Sequence, residues 1–470
     1  MIEVFFLSVD RGLHMKRWFT VLLCMLVVAL MGSACSTKEL VKDPVTLTVL
    51  YGSGTTEFDK AYGDMFRQKY PHVTLRVINY TQHEAYKTIN DLIKVMNDVQ
   101  PDIVELYSSH LVELVEKGQL IELDSYIQSS SFDIDHMYAP VIEALRLEGE
   151  GRLYGLTPYF PGTALYYNKT LFDLNHIPVP SSAVTWEQMI DLAKLFPSGE
   201  GYSGTYINKP YTNKFNYVRY IGFQNGLRVI DSTGKKVTVD TESWKNMWTK
   251  GIESFQSGAM VEVIAELFPP SFSEDQYTEL WLKNNAFAAG KAAMVVADYS
   301  MAEQLELIQN STSPNKPEFE WDLVAYIPNG NKPNGAFIPD MNKIFAMTTY
   351  SKNVQDAWEL LSFMHSGSTM LRLNNQHDLG YGYLSSRPAA ARKIGDKNIS
   401  AFYQATEAIN SGKSIKWPAA FLDPFMKIGE EEVELAASGD QTVEQSVVNM
   451  QQRWQEALDA ALLAEGASGK

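Results

Sequence analysis

At 470 residues the chain is too long for one small module, and at about 150 residues per domain two or three packed units are expected. Hydrophobic residues at 45% and charged residues at 20%, with 30 Gly and 20 Pro, exclude disordered, collagen-like and multi-span membrane classes. Forty Lys plus Arg against 56 Asp plus Glu leave a formal charge of -16, which repels phosphate backbones and argues against a nucleic-acid partner.

The chain begins with an export pattern. Trp18 to Met31 carries no charge, follows Met15-Lys16-Arg17, and leads into the small residues Gly32-Ser33-Ala34. A spanning helix needs about 20 apolar residues, so this shorter run behind a basic start reads as a signal peptide over residues 1–34, with Met15 as the true start. Cys35 follows the small residues and resembles the lipidated cysteine of a bacterial lipoprotein box, although Gly32 stands where such boxes usually have Leu. That reading makes residues 35–44 a lipid-anchored tether at the extracytoplasmic face of the cell membrane, with plain secretion as the alternative. Cys24 leaves with the signal peptide, so the mature chain has one cysteine and forms no intramolecular disulfide.

Beyond the tether, Thr46 to Tyr51 is β-branched and apolar and predicts a strand. Gly52-Ser53-Gly54-Thr55-Thr56 turns it into a helix carrying Phe58, Ala61, Tyr62, Met65 and Phe66, which Pro71 stops. Val73 to Asn79 alternates as a strand, Tyr86 to Met96 is a helical stripe, Asp102 to Leu106 is a third strand, and a helix from about His110 ends at Gly118. Alternation at this spacing predicts a parallel sheet with helices on both faces. Later, Thr185 caps a helix over Trp186 to Phe196, Asp231 to Gly234 makes a hairpin turn, and Glu242 to Ser257 is a long amphipathic helix closed by Gly258. Phe287 to Ala297 brings a helix end into a buried strand, and Gln355 to His365 and Val443 to Leu463 are further helices.

Familiar catalytic patterns are missing. No phosphate loop or dinucleotide fingerprint follows a strand, Gly-x-Ser-x-Gly is absent, and His83-Glu84-Ala85-Tyr86-Lys87 has Lys where a zinc-protease helix needs His. Glu430, Glu431 and Glu432 are consecutive on a predicted helix, so they point apart and read as a solvated face. No cofactor and no metal site is expected.

Several segments together resemble the extracellular solute-binding proteins of ABC importers, the group that includes maltose- and other oligosaccharide-binding proteins. They are Gly151-Arg152-Leu153-Tyr154-Gly155-Leu156-Thr157-Pro158, Leu165-Tyr166-Tyr167-Asn168-Lys169, Thr185-Trp186-Glu187, Phe287-Ala288-Ala289-Gly290-Lys291-Ala292-Ala293-Met294 and Asp356-Ala357-Trp358-Glu359-Leu360-Leu361. The resemblance implies an α/β clamp of two lobes, each a mixed sheet flanked by helices, joined by several hinge crossovers. Residues 45–157 with 334–379 would form lobe 1, and 158–333 with 380–470 lobe 2. Crossings are expected near Thr157-Pro158, Pro333-Asn334-Gly335 and Gly380-Tyr381-Gly382. The implied function is non-enzymatic: a monomeric receptor that hands a solute, most simply a carbohydrate, to permease subunits.

A sugar offers hydroxyls to polar side chains and an apolar face to rings. Loop positions supply candidates: Tyr51 and Ser53 after the first strand, Tyr107 and Ser109 after the third, Tyr159 after the first crossing, Asp298 and Tyr299 after the buried strand, and Tyr381 and Trp417 in the last third. Sugar-binding relatives often have Trp where this chain has Tyr299, and charged contacts where it has Ser109 and His110. Tyr166, Tyr167, Trp244 and Trp248 read as core. Two alternatives stand beside this reading. One is a surface-anchored glycan hydrolase, which would need two carboxylates fixed across one cleft; the other is the same fold taking a peptide, polyamine or other non-sugar solute.

Overall fold

A computed structural model describes residues 42–81, 88–197, 199, 201–209, 212–269, 271, 273–311, 316–328, 335–336, 341–375, 382–408 and 417–468. The chain divides into Met1–Val45 and a main body, Thr46–Lys470, and the fold below is that of the main body. The export segment, Cys35 and His83 lie outside the described residues.

The first sheet grows from the predicted alternation. Strand β1 (Val45–Leu50) leads into helix α1 (residues 55–69), in which a π-turn, Asp59–Gly63, is set between α-helical ends. Strand β2 (Val73–Ile78), α2 (Ile89–Val99), β3 (Ile103–Leu106) and α3 (Ser108–Glu116) follow. Tyr86, the expected start of α2, is outside the described residues; the described helix begins at Ile89, where Thr88 and Asp91 close a reciprocal capping box. After α4 (Asp124–Ser130) and α5 (Ala139–Glu148) the short strand β4 (Gly155–Leu156) returns to the sheet, whose order is β2-β1-β3-β13-β4, with β13 being Ile344–Met347. The sheet is mixed rather than parallel. β1 and β3 run parallel as the alternation predicts, but β13 enters antiparallel to both β3 and β4. Local periodicity carries no information about a strand more than two hundred residues away.

From β4 the chain runs through β5 (Tyr159–Phe160) into β6 (Thr163–Asn168), the core of a second sheet. Next come α6 (Lys169–Leu174), β7 (Val184–Thr185), α7 (Trp186–Ala193), the parallel pair β8 (Thr205–Lys209) and β9 (Met260–Ile264), α8 (Lys214–Gln224) and α9 (Glu242–Gln256). Then α10 (Glu274–Asn284), β10 (Met294–Asp298), α11 (Tyr299–Gln309) and β11 (Trp321–Ile327) complete this part. The second sheet has the order β10-β6-β11-β7, with β6 antiparallel to both neighbours and β11 parallel to β7.

The link back to the first sheet contains β12 (Gly335–Ala336), which pairs with β15 (Glu407–Ala408). Helices α12 (Val354–Met364) and α13 (Gly367–Asn375) precede β14 (Leu384–Ser385), which pairs antiparallel with β5. The crossing residues Pro333, Asn334, Gly380 and Tyr381 are outside the described residues.

The closing helices α14 (Ala419–Ser438) and α15 (Val443–Ser468) pack on the second sheet's core. Trp244 and Trp248 stack there at 5.7 Å, as their four-residue spacing predicts. Glu432 departs from the solvated reading: it is 3% exposed and accepts from Arg453 Nη1 at 2.7 Å and Asn449 Nδ2 at 3.0 Å. Glu430 accepts from Asn213, whereas Glu431 accepts from the other nitrogen of the same Arg453, so the three carboxylates do not all point apart: two of them share one guanidinium.

His365, just after α12, is fully buried, and burial holds its imidazole pKa down at about 4 against an ordinary 6.5. Between those values the unfolded chain binds a proton that the folded chain refuses, so stability falls as pH drops from about 6.5 to 4 and the loss levels off below. The span corresponds to about 3 kcal/mol. Urea midpoints of His365→Gln should therefore fall less steeply than wild type across this window; parallel pH profiles would contradict the burial argument.

Candidate functional site

Parallel strands β1 and β3 end at the same edge of the first sheet, the edge at which open α/β sheets bind ligands. Tyr51 follows β1 there. Its ring, 5% exposed, stacks on Phe345 at 6.0 Å and meets Phe58 edge-on at 5.3 Å. Ser53 is exposed in the next turn and hydrogen-bonds the Tyr51 side chain. Gly54 has φ +92°, a left-handed conformation that glycine adopts without strain, and it lets the turn open directly into α1.

The turn is held by Glu105. This carboxylate lies within the otherwise apolar β3, is 4% exposed, and accepts the Gly52 N–H at 2.7 Å. Burial pushes its pKa up, while Lys343 and the Gly52 N–H pull it back. Lys343 lies just before β13. Its ammonium is 5.5 Å from the Tyr51 ring centre and 5.8 Å from that of Tyr159. Tyr159 in turn meets Tyr383 at 4.8 Å, and the Asn342 amide donates to the Tyr383 hydroxyl. Burial raises the pKa of Tyr51, Tyr62 and Tyr159, so all three stay neutral phenols at physiological pH. The result is a wall of rings and hydroxyls that holds a buried carboxylate, with the Lys343 ammonium within its electrostatic reach.

The second sheet contributes a cavity of about 520 Å³. Its lining includes Tyr206, Tyr217, Tyr220, Trp281 and Tyr326 interleaved with Thr163, Asn208, Gln224, Asn285 and Asp298. Tyr217 is fixed by the Trp186 indole N–H, which donates to its hydroxyl at 2.8 Å. Asp298 caps α11: its Oδ1 accepts the Ser300 N–H at 3.0 Å and also the Ser300 hydroxyl. Between the two sheets lies the β5–β14 pair, with Tyr159 opposite Ser385 and Phe160 opposite Leu384.

Of the residues singled out in the sequence, Tyr51, Ser53 and Tyr159 come together on the first wall, and Asp298 lies on the second. Tyr107 is 45% exposed at the end of β3, edge-on to His110 at 5.1 Å, and Ser109 is exposed beside it in α3. Neither enters the clusters above; the buried serine there is Ser108, whose hydroxyl accepts the Met341 N–H at 3.0 Å. Tyr299 and Trp417 are placed away from the cavity. The first is 2% exposed and packs edge-on against Phe402 at 5.9 Å, because the first helical position of α11 turns inward from Asp298. The second packs on Phe421 and Phe425 at 5.5 and 4.8 Å, on the core beneath α14. Tyr381 is outside the described residues; its neighbour Gly382 donates its N–H to Glu303 Oε2 at 2.8 Å.

Glu105, Lys343, Tyr383 and Trp281 were not singled out. Glu105 had a signal, a lone acid inside the buried run Ile-Val-Glu-Leu. Tyr217, Tyr220 and Gln224 recur at helical spacing on α8, a helix the sequence reading did not delimit.

Residues 61–410 match the bacterial extracellular solute-binding proteins. The chain belongs to that family. A curated relative from Brucella abortus, described as a binding protein, is 24% identical over 375 residues, covering 74% of this chain and 77% of its own length. Among solved structures, the sugar-binding protein MalE of Xanthomonas citri superposes with a TM-score of 0.61 at 16% identity, over 90% of this chain and 99% of that one. A family 1 solute-binding protein of Alicyclobacillus acidocaldarius gives 0.61 at 14% identity, over 89% and 99%. A sugar transporter protein of Rhizobium etli in an open conformation gives 0.60 at 16%, over 87% and 99%. This solute-binding protein has the two-lobed α/β fold that the resemblance implied, and it is a binding protein rather than an enzyme. Among the described residues no helix is long and apolar enough to cross a membrane.

The raised pKa of Glu105 has a sign that can be measured. A carboxyl whose folded pKa lies above its unfolded value stabilises the fold at low pH, and that contribution disappears as pH rises through the folded pKa. Gln at position 105 keeps an acceptor for Gly52 without the buried charge. Melting curves should favour Glu105→Gln increasingly over wild type from pH 4 to 8; a growing disadvantage for the variant would show that the charge is net stabilising.

Proposed function

We propose that this solute-binding protein is the receptor of an ABC importer for an oligosaccharide, which it binds between its two walls and delivers unaltered to the permease. One observation carries the reading: among the described residues, the second-sheet cavity interleaves five aromatic side chains with hydroxyl and amide groups and has a single charged residue, Asp298, on its lining. That composition suits a neutral, hydroxyl-rich solute with apolar faces. Asn208 Oδ1, on the same lining, has no hydrogen-bond partner among the described residues, which suits a solute hydroxyl as donor. Sugar binding by relatives such as the Xanthomonas citri protein supports the same class. A polyamine fits less well, because the Lys343 ammonium already occupies the Tyr51 and Tyr159 rings.

Within this reading, residues 45–157 with 334–379 form the lobe that carries Tyr51 and Glu105, and residues 158–333 with 380–470 the lobe that carries the cavity. The receptor acts as a monomer. A signal peptide over residues 1–34 exports it, and a diacylglyceryl group on Cys35 holds it at the outer face of the membrane, since more than one acyl chain is needed for stable anchoring.

Titration calorimetry against linear and cyclic oligosaccharides, peptides and polyamines should give saturable binding for an oligosaccharide. Micromolar affinity corresponds to about 8 kcal/mol, so losing one stacked ring should weaken it at least about tenfold. Trp281→Ala and Tyr159→Ala are the variants; unchanged affinity in both would remove the proposed walls, and a peptide or polyamine as the tight ligand would replace the solute class. Separately, Cys35→Ser should release the protein from the membrane into the soluble extracytoplasmic fraction, whereas continued membrane retention would contradict lipid anchoring.

A further inference from the structure

The family reading leaves one cluster of chemistry-bearing side chains unused. His72 lies in the short link between α1 and β2, while Asp356 and Glu359 lie three apart on one face at the start of α12. Helices α1 and α12 run antiparallel against each other: Phe66 meets Phe363 at 5.5 Å, and further along α1 the chain brings His72 back to the opening turn of α12. His72 Nε2 is 3.3 Å from Asp356 Oδ1, and one ligand atom from each of the three residues lies within 4.8 Å of the others. The side chains of His72 and Asp356 are only 14% and 17% exposed.

We propose that His72, Asp356 and Glu359 bind one divalent transition-metal ion of the zinc class. A tetrahedral ion with arms of about 2.0 to 2.1 Å sets its ligand atoms about 3.3 to 3.4 Å apart. The His72–Asp356 separation of 3.3 Å already equals that edge. Glu359, with three rotatable side-chain bonds, closes the remainder, and water takes the fourth position. One neutral imidazole and two carboxylates neutralise a divalent ion. The nitrogen donor selects zinc over calcium or magnesium, which prefer all-oxygen shells. Asp356 sits in the first turn of α12.

The site is a staple within one lobe. Tyr51 precedes α1 and His72 follows it, and a helix of this length spans about 22 Å at 1.5 Å per residue. The ion therefore ties the far end of α1 to α12 without touching the solute cleft. His72 and Asp356 are 284 positions apart, so no local motif announces the site, and the sequence reading expected no metal.

The test is titration of the purified full chain with zinc chloride, followed by calorimetry and thermal unfolding, with calcium and magnesium chloride in parallel. One equivalent of zinc should bind with micromolar or tighter affinity and raise the melting temperature. His72→Ala and Glu359→Gln should each weaken binding at least tenfold, while Trp281→Ala leaves it unchanged. Should His72→Ala fail to fold, Glu359→Gln alone decides. Absence of saturable zinc binding, unchanged affinity in the variants, or tighter binding of calcium than of zinc would each overturn the proposal. Failure of sugar binding would leave it untouched.

Discussion

The first wall of the cleft depends on one buried carboxylate. Glu105 joins three parts of the chain that are distant in sequence: the loop after β1 through the Gly52 N–H, the strand β3 that carries it, and the approach to β13 through Lys343. A charge taken out of water is costly unless it is bonded and paired, and these two partners reduce that cost. The Lys343 ammonium also faces the rings of Tyr51 and Tyr159. Removing the carboxylate would release the turn that orients Tyr51 and leave a cation among the rings.

The second wall is built differently. It has little charge and depends on side chains whose orientation is fixed from behind: Tyr217 by the Trp186 indole, Asp298 by the α11 turn that it caps. In the proposed receptor, rings held this way would lose little freedom when a solute binds, so more of the contact free energy would appear as affinity. Between the walls runs the short β5–β14 pair, beside which Gly162 lies so close to Leu384 and Phe160 that a Cβ would come within 2.7 and 2.9 Å of them. Two-residue strands in a tightly packed crossing are a natural place for hinge motion, since few ladder bonds have to adjust.

Much of the fold was legible because its determinants are local. The first strand–helix–strand succession, the Thr185 cap, and the tryptophan pair of α9 follow from spacing and capping chemistry alone. What escaped was set at long range. The antiparallel entry of β13, the burial of Glu432 under Arg453, and the inward turn of Tyr299 each depend on partners far along the chain. For the candidate site, placing rings on loops after strands picked out Tyr51 and Tyr159, which the fold brings to one wall. It missed Glu105, because an acid within a strand was read as part of the strand, and it missed the α8 tyrosines, because a site wall made by a helix face has no loop to mark it.

The central claim is a pair of walls that close on a solute and leave it chemically unchanged. Small-angle X-ray scattering of the protein with and without its oligosaccharide, followed by mass analysis of the recovered sugar, tests this most directly. The account predicts a smaller radius of gyration on binding and recovery of the sugar intact. An unchanged radius at saturation, or a shortened sugar, would contradict it.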